Sequence, residues 1–278
     1  MNKKTIAIAL TAAAGLAVLG AVPAATASSS HHAVGLAAKG TKLVGLNLDR
    51  PWRTDSARAV SGLVTDTALI GIDYRVQDRK LYGVGNQGGI YILDARNGKA
   101  TLQDRPRVTL DGSAAYGVDF NPAANALRIV SSNGTNLRVP FATAAAAIVD
   151  GPLNRPAVAP ATGTVSATGI TAAAYTNNDL DASTATTLFV IDTERDQVAI
   201  QSPANSGTTV ATGGLGVDLS GDIGFDIYSD LRKDKTKSNT AFVVAGGALH
   251  KVNLLTGTVR TIGTLGVRGV TDLAVGLD

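Results

Sequence analysis

A short apolar segment, usually built around an aspartate, returns along this chain at intervals close to fifty residues, and no feature restricts the fold more. GIDY from Gly71, GVDF from Gly117, AAAY from Ala172, GFDI from Gly224 and DLAV from Asp272 superpose. Their third positions are Asp73, Asp119, Ala174, Asp226 and Ala274, spaced by 46, 55, 52 and 48 residues. A second apolar run follows in each unit: LYGV at Leu81, LRIV at Leu127, LFVI at Leu188 and AFVV at Ala241. After a turn comes a third: IYIL at Ile90, LRVP at Leu137, QVAI at Gln197 and LHKV at Leu249. A weaker fourth run ends in Gly/Leu punctuation near Leu110, Gly213 and Gly263. Four short strands per unit at this period is the spacing of a propeller blade.

The last unit stops at Asp278 after one strand, and what it lacks stands at the other end, in Thr41 to Asp49 and Ala57 to Leu63. Joining the two ends removes unpaired strand edges and covers apolar faces. The reading is therefore all-β, a single β-propeller of five four-stranded blades over 41–278, closed by pairing of the N- and C-terminal segments. Asn97-Gly98, Ser206-Gly207 and Thr256-Gly257 supply hairpin turns. Phe141 to Val149 has helix-forming composition and predicts a local irregularity. The charged stretch from Tyr228 to Ala241 predicts a solvated loop between the first two strands of the fourth blade.

Residues 1–27 carry two lysines, an apolar run and an Ala25-Thr26-Ala27 ending, the pattern of a secretory signal peptide cleaved near Ala27. Residues 28–40 are expected to be a flexible segment. Cleavage would leave 251 residues with 23 basic and 22 acidic side chains. Nothing in that balance calls for nucleic acid, and no later apolar run is long enough to span a bilayer. There is no cysteine, which excludes a lipid anchor, thiolate chemistry and disulfides. The expected location is outside the cell, free or associated with the wall, as a monomer.

At YGVDFNP, SSNGTNLRV, AAAYTNN, GIDYR, LYGVG, SPANSGT, GFDI and TDLAVG the chain resembles DUF4394, a family of secreted bacterial proteins of unknown function. The resemblance runs from about Thr41 to Asp278 and implies a β-propeller; it carries over no catalytic residue. The chain departs from the family pattern at Ala124-Asn125, where an acid tends to precede the arginine strand, and at Phe141 to Ala147.

Asp73, Asp119 and Asp226 recur on the innermost strand of three blades. They could hold Ca²⁺ through hard oxygen ligands, or tie each blade to the backbone of the next; the tie is favoured, because an inward acid needs hydrogen bonds. Asn121, Asn133, Asn136, Arg138, Asn177 and Asn178 form a candidate rim whose amides and guanidinium could read sugar hydroxyls or a carboxylate. Asparagine is also what turns with positive φ require. Arg50, Trp52 and Arg53 offer a stacking patch, although a tryptophan packed on the closing blade is the expectation. Gly83 to Gly88 fits GxGxxG, but a strand follows where a phosphate site needs a helix. Asp192, Glu194 and Asp196 lack the glycine and terminal glutamate of a calcium loop. His250 is the only histidine beyond the leading segment, too few for a triad or a zinc site. The functional expectation is a ligand-binding or scaffold module for a carbohydrate, cell-wall component or protein. The alternative is a calcium-assisted hydrolase or lactonase with carboxylates at the tunnel.

Overall fold

The computed structural model describes residues 31–141, 146–219, 221 and 223–277. The expected leader and residues 142–145 of the expected irregularity lie outside them. Five four-stranded antiparallel sheets make five blades. The first blade holds β4 (Leu69–Arg75), β5 (Lys80–Gly85), β6 (Ile90–Asp94) and β7 (Lys99–Asp104); its outer strand lies earlier than the Leu110 region suggested. The closing blade, whose N-terminal strands are β1 (His32–Ala37), β2 (Lys42–Asn47) and β3 (Thr54–Ala59), is completed by the last strand of the chain. The second blade has β8 (Tyr116–Asn121), β9 (Ala126–Ser131), β10 (Asn136–Pro140) and β11 (Ile148–Val149). A two-stranded ribbon, β12 (Asn154–Pro156) and β13 (Thr164–Ser166), leads into the third, with β14 (Ile170–Tyr175), β15 (Leu188–Asp192), β16 (Gln197–Gln201) and β17 (Thr209–Gly214). The fourth contains β18 (Ile223–Arg232), β19 (Lys235–Ala245), β20 (Ala248–Val252) and β21 (Val259–Thr264), and β22 (Val270–Val275) ends the chain.

The ends meet, but through a strand the sequence reading had assigned to a flexible segment. β22 pairs with β1, Ala33 opposite Val275 and Leu36 opposite Asp272, and β2 and β3 follow outward. In HAVGLA the residues from Ala33 to Ala37 are all buried, with no polar alternation, because both faces of a blade are covered. The propeller therefore begins at about residue 31. Five apolar clusters fill the five joints between blades. Strand residues alternate between them: Phe242 and Val244 face the closing blade, whereas Ala241, Val243 and Ala245 face the third.

The expected loop after Tyr228 is instead a β-hairpin extension, with β18 and β19 paired from Ile223–Ala245 out to Arg232–Lys235. Lys233 and Asp234 close it with positive φ. Its charged composition reflects a ribbon that runs beyond the blade with Lys235, Lys237 and Ser238 exposed, while Ser229 is buried.

Candidate functional site

In each blade the innermost strand has one edge with no strand beside it, so its outward N–H groups need acceptors. Acids from neighbouring blades supply them. Asp73 Oδ2 accepts from the Phe120 amide at 2.7 Å, Asp119 Oδ1 from Tyr175 at 3.0 Å, Asp226 Oδ2 from Val275 at 2.5 Å and Asp272 Oδ2 from Ile72 at 2.7 Å. Four of the five joints are tied in this way. The close approach depends on glycine: a Cβ at Gly117 would stand 2.5 Å from the Ala173 nitrogen, and one at Gly224 2.7 Å from the Asp272 carbonyl carbon. Asp272 occupies the glycine position of its own repeat. Its carboxylate reaches the space over Gly71, where an added Cβ would lie 3.1 Å from Oδ2. The sequence superposition paired Ala274 with the aspartates and so missed it; a side chain two residues earlier is on the same face of a strand.

The fifth joint lacks an acid because Ala174 stands in its place, and the hairpin extension of the fourth blade substitutes. Asn178 donates from its backbone to Ser229 Oγ at 2.9 Å and from its side chain to the Ile227 carbonyl at 3.0 Å. Asn177 accepts from Asn239 Nδ2 at 2.8 Å, and Asp179 accepts from both the amide and the hydroxyl of Thr236 at 2.8 and 2.6 Å.

Carboxyl oxygens of Asp73, Asp119 and Asp226 lie within 4.8 Å of one another, all buried. Burial, and for Asp73 and Asp119 the charge of neighbouring aspartates, pushes both far above the usual carboxylate range. Burial lifts Asp226 to about 7 and also pushes Asp272 well up. The spacing is within the reach of a hard cation's ligand shell, but calcium takes six to eight oxygens. Each of these three carboxyls already accepts from at least one peptide N–H. With several such acids close together in an apolar setting, proton retention relieves the repulsion.

Three strand positions before the acids, roughly 10 Å along the strands, the channel opens into a cavity of about 380 Å³. Ile70, Tyr116, Thr171, Ile223 and Thr271 hold equivalent places in the five repeats, and all five line it. Thr171 is 8% exposed and its hydroxyl has no hydrogen-bond partner among the described residues, whereas Thr271 donates to the Leu36 carbonyl. Lys39 is the charged residue among the lining side chains. It sits on the β1–β2 turn, which is fixed on both sides by Ala38 N–H to Gly269 O and Leu69 N–H to Gly40 O.

The residues expected to share one rim are dispersed. Asn121 caps the turn after β8, its Oδ1 accepting from the Ala124 amide at 2.8 Å. Asn133 lies in the β9–β10 turn against Asp111 and Ser131, while Asn177 and Asn178 clasp the fourth blade. Asn136, 2% exposed, and Arg138 belong to a buried network between the second and third blades. There Arg128, 3% exposed, donates to Asn136 and Asp150 at 2.7 Å and to Asn205 at 2.8 Å, and Asp150 also pairs with Arg138. The acid that Arg128 and Arg138 find is thus Asp150, directly after β11 and not before the arginine strand. Trp52, expected to be packed, is 62% exposed. His250 lies on β20 with Nδ1 3.1 Å from the Thr261 hydroxyl. The Gly83–Gly88 stretch forms the β5–β6 hairpin, and Asp192 to Asp196 forms the β15–β16 turn.

These features define a closed five-bladed β-propeller, its blades tied at the axis by buried acids and amides and its channel opening into a cavity. The chain belongs to the family described as domain of unknown function DUF4394, whose model matches residues 42–274. No functionally curated protein matches it. Among solved structures, an auxiliary nutrient binding protein from Bacteroides thetaiotaomicron VPI-5482 is 14% identical with a TM-score of 0.45, covering 83% of this chain and 58% of that one. An auxiliary nutrient binding protein from Bacteroides ovatus ATCC 8483 is 10% identical with a TM-score of 0.46, covering 81% and 54%. A protein of unknown function from Bacteroides thetaiotaomicron VPI-5482 is 14% identical with a TM-score of 0.44, covering 90% and 68%. The chain therefore spans little more than half the length of the two nutrient binding proteins.

Proposed function

We propose that this protein is a secreted binding module that takes a small polar ligand, a carbohydrate or a cell-wall fragment, at the channel mouth. The observation that carries the reading is the cavity lined by equivalent positions of all five blades, Ile70, Tyr116, Thr171, Ile223 and Thr271. Its size suits a mono- or disaccharide-sized group. The acids deeper in the channel are used in holding blades together, which favours binding over a calcium-assisted hydrolase or lactonase. No helix among the described residues is long and apolar enough to cross a membrane.

The test is a thermal-shift panel of muropeptides, mono- and oligosaccharides, and calcium alone, since a ligand selective for the folded form raises its melting temperature. Exposed Ala115, beside the cavity, allows Ala115→Trp to fill the mouth without disturbing the blades. A shift lost in Ala115→Trp supports the reading. A saccharide shift that persists in Ala115→Trp refutes it, and a calcium shift abolished by Asp73→Asn would move the assignment to the alternative.

A further inference from the structure

A second surface lies away from the channel, on the turn between β2 and β3. The turn is rigid: Asn47 Oδ1 accepts from the amides of Asp49 and Arg50 at 3.1 and 2.8 Å, and Arg53 N–H donates to Arg50 O at 2.8 Å. It is also seated on the fourth blade, where Gly266 N–H donates to the Pro51 carbonyl at 3.0 Å. Glycines make the seat. A Cβ at Gly263 would meet Pro51 Cγ at 3.1 Å, and one at Gly266 would lie 2.5 Å from the Trp52 carbonyl oxygen.

On this fixed backbone Pro51 is buried while the indole of Trp52 stands out, 62% exposed. Arg50 and Arg53 flank it, both exposed, and neither guanidinium has a hydrogen-bond or ion-pair partner among the described residues. A large exposed aromatic is informative where an exposed leucine is not. The other large exposed hydrophobic side chains lie in other loops, as Val64, Leu180 and Leu255 do, or on strands, as Leu102, Val149, Val165 and Val210 do. Trp52 is thus a lone flat face between two cations. Protein hot spots are ringed by further contacts that exclude water, whereas a sugar ring needs one flat face and polar groups at its edge. The guanidinium fork matches a carboxylate.

We propose that the Arg50–Trp52–Arg53 turn is a second binding surface that stacks a sugar ring bearing a carboxylate, the indole taking the ring face and the guanidiniums the charge. It is independent of the channel mouth, because none of its residues lines that cavity.

Trp52 is the only tryptophan in the chain, so its fluorescence reports on this surface alone. The probes are an oligogalacturonate and a neutral galactan oligosaccharide of equal length. The acidic sugar is expected to shift and quench the emission in a salt-sensitive way, and the neutral one to do so far more weakly. Arg50→Ala and Arg53→Ala should each weaken acidic-sugar binding about tenfold. Trp52→Ala should abolish the calorimetric signal at unchanged melting temperature, and Ala115→Trp should leave it intact. Emission unchanged by both sugars, equal response to both, or full affinity in Trp52→Ala overturns the proposal. So does quenching by a second copy of the chain in place of either sugar.

Discussion

Asparagine in place of Asp226 should abolish the effect of pH on stability at one joint of the ring. In the folded protein burial holds this carboxyl to about 7, against about 4 in an unfolded chain. Between those values the folded form keeps a proton that the unfolded form has released. The stabilisation it contributes is complete below pH 4 and is lost as pH rises through 7. Three units at about 1.4 kcal/mol each amount to roughly 4 kcal/mol. Asparagine removes the titration but offers one acceptor oxygen where Asp226 uses two, for the amides of Val275 and Ile227; that loss should cost about 1 kcal/mol. Asp226→Asn is therefore expected to be slightly less stable than the parent at pH 4 and about 3 kcal/mol more stable at pH 8. Because Asp73 and Asp119 are raised partly by the charge of Asp226, relaxing them acts in the same direction. Denaturant melts of both proteins at four pH values read the difference. Two stability curves that stay parallel from pH 4 to pH 8 would refute the reasoning.

The other joints make separate predictions. Asp119→Ala leaves the Tyr175 amide on a bare strand edge and should cost about 1–3 kcal/mol, with Asp119→Asn recovering most of it in the same melts. Asp150→Ala strands Arg128 in the network between the second and third blades and should cost about 3–5 kcal/mol, whereas Arg138→Ala, at the partly exposed end of the network, should cost clearly less. A chain beginning at residue 38 lacks β1, exposing the edges of both β22 and β2; it should elute as aggregate in size-exclusion chromatography, and a monomeric, cooperatively melting product would contradict the closure described above.

Most of the architecture could be read from sequence because a blade leaves a regular record. Gly71, Gly117 and Gly224 each stand two residues before an acid, and apolar runs follow at near-constant spacing. The errors fell where the repeat is broken. HAVGLA was overlooked because its small residues, buried on both faces, follow a polar start and carry no period-two alternation. The hairpin extension beyond Tyr228 resembles a loop in composition because it runs past the blade, and what it packs on is a short polar segment, Asn177 to Asp179, and not an apolar face. Asp272 escaped by standing in the glycine position, and Asp150 because it follows the irregular stretch after β10, where no repeat position marks it. The proposed rim failed for a different reason: six polar side chains near strand ends can look alike in sequence while serving as a turn cap, a clasp and a buried weld. The mouth cavity left no local motif, since its lining is gathered from all five repeats and the turns beside them.

The central claim is that side chains of neighbouring blades replace the missing strand at the inner edges of the ring. Native-state hydrogen exchange of the amides of Ile72, Phe120, Tyr175 and Val275 measures it directly. If the acids hold them, all four exchange only through global unfolding, as slowly as amides in the middle of the sheets, although no strand lies beside them. Exchange of these amides at the rate of exposed strand edges, with the sheet interiors still protected, would contradict the account.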